Sequence, residues 1–157
     1  MTGEFSTAVI IEAAPEQVWA ILTDTRLMPQ WMGTPEMKIT VDTSWEINTP
    51  LLIQGFLYSD FENKGIVLQY DKYKKLSYSH LSSVSRLADT AENYTILEFI
   101  LAPHGSGTRL TLRMTNFPTE VIQRHLEFYW RTAIVLIKRN AEKDNPGIKT
   151  TLSGNYK

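Results

Sequence analysis

The chain has 157 residues, 43% hydrophobic and 21% charged, which suits one globular domain with a real hydrophobic core. Sixteen basic and seventeen acidic side chains leave a net charge of −1, so there is no basic field to hold nucleic acid. Cysteine is absent, which excludes disulfides and thiolate metal sites and is compatible with a reducing compartment. In chain order, residues 4–13 (EFSTAVIIEA) are rich in β-branched and apolar types and predict a first strand. Pro15 and Glu16 then open a helix. Proline suits the first helical position and the acid complements the helix dipole. Val18, Trp19 and Leu22 give this helix one apolar face, and a second short helical piece is predicted from Arg26 to Trp31.

From Lys38 the pattern changes. MKITV, SWEIN, LLIQGFLYS, GIVLQY and LSYSHLS read as short strands divided by Asp42-Thr43, Pro50, Glu62-Asn63-Lys64 and residues 71–75. Residues 83–93 are small and polar and predict a loop. The clearest strands follow: Leu97, Phe99 and Leu101 alternate in one, and Leu110, Leu112 and Met114 in the next. That period implies one buried and one wet face, with Glu98 on the wet one. Residues 103–107 (PHGSG) predict the hairpin turn between them. Pro118 and Glu120 open a helix running to about Asp144, roughly 40 Å at the usual rise, with a broad apolar stripe. Residues 145–157 lack periodicity and predict a loose tail after a single domain over 1–144. No run approaches the roughly 20 apolar residues of a membrane span, and no signal peptide is recognisable, so the expected location is cytoplasmic.

The expected class is therefore α+β: a curved antiparallel sheet of six to seven strands, two short helices and a long C-terminal helix. A sheet curled around one helix leaves space at its open end. This order resembles the helix-grip superfamily called SRPBCC, which includes START domains, birch-pollen-type allergens and polyketide cyclases. The resemblance rests on the run from Ile11 to Trp19, on Trp31, and on Lys64 to Leu68 leading to Leu76-Ser77-Tyr78. Gly107 to Leu112 and Trp130 with Leu136-Ile137-Lys138 before Glu142 extend it, as do Asp89 and Glu92-Asn93-Tyr94. The subgroup it is most similar to is the family of the C-terminal domain of the heat-shock-protein-90 ATPase activator. The resemblance covers about residues 5–143 and implies a pocket for an apolar or amphipathic small molecule. The eukaryotic activator carries a separate chaperone-binding domain for which 157 residues leave no room.

In such a fold Trp31, Phe56, Tyr78, Phe99, Met114, Phe117 and Tyr129 fall where a cavity would be lined; the alternative is that these bulky groups fill the space. His80 follows Leu76 and Tyr78 at period two and shares their sheet face. A neutral imidazole there would bond a ligand or act as a general base, or else be a structural histidine bonded to a neighbouring hydroxyl. His125, one turn before Tyr129, faces either the cavity or the helix edge. His104 sits in a turn. The histidines lie on separate elements with no close pair, so no metal is expected. Asp60, Glu62, Asp89 and Glu92 fall in or beside loops, where acids are solvated. No nucleophile motif or phosphate loop is present.

The leading expectation is therefore binding of a small hydrophobic molecule, without a cofactor or assigned catalysis. One alternative is a cyclase- or hydratase-type enzyme using His80 or His125 as base and Tyr78 as proton donor. The other is a protein-interaction module of chaperone regulation.

Overall fold

Alternation in the last two strands sets the frame. In β6 (Thr95–His104) and β7 (Gly107–Thr115) the odd and even positions respectively are buried, and Phe99 lies opposite Leu112, Leu97 opposite Met114. The outward face carries the charged residues Glu98, Arg109 and Arg113. Arg113 bridges Glu98 (2.8 Å) and Glu4 (2.5 Å), and Lys75 reaches Glu98 at 2.8 Å. Gly105 turns the hairpin at φ 58°, a left-handed conformation that glycine adopts without a Cβ penalty.

The computed structural model describes residues 3–143; the expected tail and the expected helix end at Asp144 lie outside them. The other elements are β1 (Glu4–Ile11), α1 (Pro15–Thr23), α2 (Pro29–Met32), β2 (Thr40–Thr43), β3 (Pro50–Leu57), β4 (Ser59–Asp71), β5 (Lys75–Ser82) and α3 (Glu120–Lys143). The strands form one curved seven-stranded sheet in the order β1-β7-β6-β5-β4-β3-β2, every neighbour antiparallel. With its short helices and the long α3, this is the α+β helix-grip architecture.

Three local expectations are corrected. SWEIN is not a strand: Trp45 and Asn48 have φ of 61° and 67°, and the segment turns back so that Asn48 and Thr49 bond the backbone of Val67. Glu62-Asn63-Lys64 is not a break but the middle of a thirteen-residue strand, β4. Residues 83–93 contain two 3₁₀ turns, at Ser83–Ser85 and Ala91–Asn93.

Helix α3 starts after Thr119, whose hydroxyl accepts a hydrogen bond from the Ile122 N–H (3.1 Å) as an N-cap. Its buried residues are Leu126, Trp130, Ala133, Ile134, Ile137 and Ala141, the spacing of a single helical face. That face is narrower than the apolar composition suggests, because two alanines complete it while Val121 and Phe128 stand 69% and 77% exposed. Lys138 fastens the far end of α3 to the sheet. Its ammonium donates to the Ile10 carbonyl at 2.7 Å and pairs with Glu142, whose carboxylate accepts from the Glu12 N–H at 2.8 Å.

Candidate functional site

Between sheet and helix the rings form a continuous packed chain. Trp130 of α3 lies 5.7 Å from Trp31, 5.5 Å from Phe99 and 5.3 Å from Tyr129, centroid to centroid; Phe99 stacks on Tyr78 at 5.9 Å. Trp31 is 1% exposed, and its indole N–H donates to the Ile21 carbonyl at 2.9 Å. Of the nine side chains predicted to line a cavity, Trp31, Phe99, Met114 and Phe117 are thus wholly buried and fill the deep core. Phe56 is 49% exposed, on the face of β3 opposite the buried Leu51 and Ile53. The inward position beside it is Gly55, and the Phe61 ring of β4 lies over that glycine, in the space Phe56 was expected to take.

The remaining four come together. Tyr78 and His80 project from the inner face of β5, two residues apart. His125 and Tyr129 are one helical turn apart on α3. Tyr129 acts electrostatically on Tyr78, and His125 on His80, while the His125 side chain itself is exposed. Tyr129 is anchored, its hydroxyl donating to the Met32 carbonyl at 2.8 Å. The Tyr78 hydroxyl and the His80 ring bond no other protein group among the described residues, and their polar atoms keep accessible surface although Tyr78 is only 3% exposed. Burial raises the Tyr78 hydroxyl well above its ordinary value, with a smaller push from Tyr129, and burial raises Tyr129 to about 12. Burial lowers His80 to about 4, with a smaller contribution from His125. At neutral pH His80 is therefore a neutral imidazole and Tyr78 and Tyr129 are neutral phenols.

That shift makes a prediction about stability. The folded-state value of about 4 lies below the ordinary 6.5, so between them the unfolded chain binds the extra proton and stability falls as pH falls from about 6.5 to about 4. Thermal midpoints of the protein and a His80→Gln variant, measured across that range, are expected to converge towards the acid end. Parallel curves would show that His80 is not held neutral.

Sequence reasoning missed Asn63. In β4 the residues Phe61, Asn63, Gly65 and Val67 alternate with Asp60, Glu62 and Lys64, so Asn63 points inward, opposite Ser82 and diagonal to His80. Its Oδ1 is buried without a hydrogen-bond partner among the described residues. The signal was present as a period-two charge pattern, masked by three consecutive polar residues that resemble a turn. An open groove lies elsewhere. It measures about 430 Å³ and is lined by the segment 29–39 and by Asn140 and Lys143 near the end of α3. Its polar lining consists of Gln30, Thr34, Lys38, Asn140 and Lys143. No cluster of metal-ligating side chains is found among the described residues, and no helix among them is long and apolar enough to cross a membrane.

No match is found among curated protein sequences. Among solved structures, the chain is similar to the protein CV1439 of Chromobacterium violaceum, with a TM-score of 0.77 and 14% identity over 90% of this chain and 98% of that one. It is also similar to ChR145 of Cytophaga hutchinsonii (TM-score 0.71, 27% identity, 91% and 94% covered). CalU16 of Micromonospora echinospora superposes with a TM-score of 0.64 at 15% identity, covering 98% of this chain and 85% of that one. The model of the family described as activator of Hsp90 ATPase homolog 1-like protein matches residues 12–142. With the helix-grip fold and a match over most of its length, the chain belongs to that family.

Proposed function

We propose that the protein binds a small apolar or amphipathic molecule in the crevice between β5 and the N-terminal half of α3. Members of this fold commonly bind ligands in a cavity. The observation that carries the reading is the pair Tyr78 and His80: two inward polar groups without protein partners among the described residues, beside aromatic walls and within electrostatic reach of His125 and Tyr129. The polar atoms of Tyr78 and His80 remain accessible, and a ligand seated there would hydrogen-bond them in place of water. The rings give the apolar contact that anchors such a molecule. Catalysis has less support, because among the described residues no carboxylate is hydrogen-bonded to His80 or His125 to fix its tautomer or steady a charged imidazolium.

Titration with phenylnaphthylamine, a neutral fluorophore that brightens in apolar surroundings, tests the reading. Saturable one-to-one binding is expected, weakened about tenfold or more in a Tyr78→Phe/His80→Gln double variant. No probe binding, together with no co-purifying small molecule in native mass spectrometry, would overturn it.

A second reading, docking of a protein partner, draws on the family name and on exposed apolar side chains. Phe56, Leu57 and Tyr58 at the β3–β4 hairpin are 49%, 54% and 95% exposed, and Val121 and Phe128 lie on α3. Stimulation of the chaperone's ATPase by this chain, abolished by Phe128→Ser, would favour that reading over the first.

A further inference from the structure

The inner face of the sheet is uncharged at the crevice. Every Asp, Glu, Lys and Arg of β6 and β7 stands on the outer face, as do Asp60, Glu62 and Lys64 of β4 and Lys75 of β5. Lys64 pairs with Asp89 at 2.6 Å, and Lys75 and Arg113 both pair with Glu98. What the inner face offers instead is a short diagonal polar row over three adjacent strands, Asn63 being opposite Ser82 and His80 opposite Thr95. Asn63 of β4 lies inward, its Oδ1 unpartnered. His80 of β5 is directly opposite Thr95 of β6, which is 1% exposed and points inward with Leu97 and Phe99. Neither His80 nor Thr95 bonds another protein group through its side chain among the described residues. Beyond this row the walls are aromatic and aliphatic.

We infer that the crevice selects an amphipathic molecule whose polar end is an uncharged hydroxyl or carboxamide, held by Asn63, His80 and Thr95, and discriminates against carboxylate and ammonium ends. The inference rests on the ligand-binding reading and specifies its ligand class. An amide, a neutral imidazole and a hydroxyl each both donate and accept hydrogen bonds. A hydroxyl or carboxamide, which also does both, satisfies all three. A carboxylate accepts only and an ammonium donates only, so either leaves some of the row unpaired. Neither finds a counter-ion on the inner face, and an ion taken out of water without a partner is heavily penalised. The depressed protonation of His80 keeps the row neutral near pH 7.

The test is a titration of the unmodified full chain at pH 7.5 with octanol, octanamide, octanoate and octylammonium, followed by ligand-observed NMR. The alkyl chain is held constant, so differences report the polar end alone. Octanol and octanamide are expected to bind about tenfold or more tightly than either ion. Asn63→Leu and Thr95→Val remove hydrogen-bonding groups at similar size and are expected to lose several-fold affinity for octanamide. Asn63→Asp is expected to move preference towards octylammonium. Octanoate binding as tightly as octanamide would overturn the assignment of the polar end and leave ligand binding standing. Failure of all four to bind would remove both. The four-ligand comparison needs no variant, so a substitution that fails to fold does not blunt it.

Discussion

Replacing Gly65 with alanine is expected to lower stability by about 3 kcal/mol, or a thermal midpoint lower by about 10 °C for a domain of this size. A Cβ at residue 65 would sit 1.6 Å from the Ser79 carbonyl oxygen, which is backbone and has no side-chain freedom to yield. Strands β4 and β5 must then part where the Ser79 hydroxyl accepts from the Ile66 N–H at 3.0 Å. This is next to the register shift between Val67 and Gln69, where the ladder is already irregular. Ser79 lies between Tyr78 and His80, so the strand that moves carries both side chains with it. The variant is expected to lose affinity for the neutral probe in proportion to that displacement. A midpoint within about 2 °C of the unmodified protein, measured by calorimetry, would show that the close approach does not constrain the sheet.

Trp31→Ala is expected to cost about 4 kcal/mol. It empties a site at the centre of the ring chain, against Trp130, and leaves the buried Ile21 carbonyl without its indole donor. Trp31→Phe separates the two effects. It keeps most of the packing and loses the hydrogen bond, so chemical denaturation should place it about 1–2 kcal/mol below the unmodified protein. The effect should reach the candidate site, because Met32, the next residue, receives the Tyr129 hydroxyl. If Trp31→Ala proved no more costly than Trp31→Phe, the ring would not be the keystone between α2 and α3.

The sheet's core strands were legible because their chemistry is one-sided. In β7 Leu110, Leu112 and Met114 alternate with Arg109, Thr111 and Arg113, so only one assignment of faces buries the first set and wets the second; β6 carries Ile96 and Ile100 outward, and there Glu98 marks the wet face. Strand β3 has apolar residues on both sides, Leu51 and Ile53 inward, Leu52 and Phe56 outward. Its facing was decided by pairing with β4 and not by its own pattern, and Phe56 went outward. SWEIN reads as a strand by composition, yet two of its residues take a left-handed backbone, which the turn imposes and local propensity does not reveal. The proposed site between β5 and α3 was half legible. Alternation put Tyr78 and His80 together, but nothing in a helical repeat says which sheet position His125 will meet. Asn63 stayed hidden because a polar residue between two charged ones resembles solvent-facing chain until the register with β3 and β5 is known.

Strand β1 pairs along its whole length with β7, Glu4 opposite Thr115 and Ile11 opposite Thr108. The partners are roughly a hundred residues apart in the chain, a separation that slows the search for native pairing. On the ribosome the first strand made must wait, unpaired, until almost the entire sheet has been synthesised. Helix α3, which grips β1 through Lys138 and Glu142, emerges later still. The first strand is therefore among the last to be secured, and an N-terminal fusion that ties it down early is expected to slow refolding more than one placed on the β6–β7 turn.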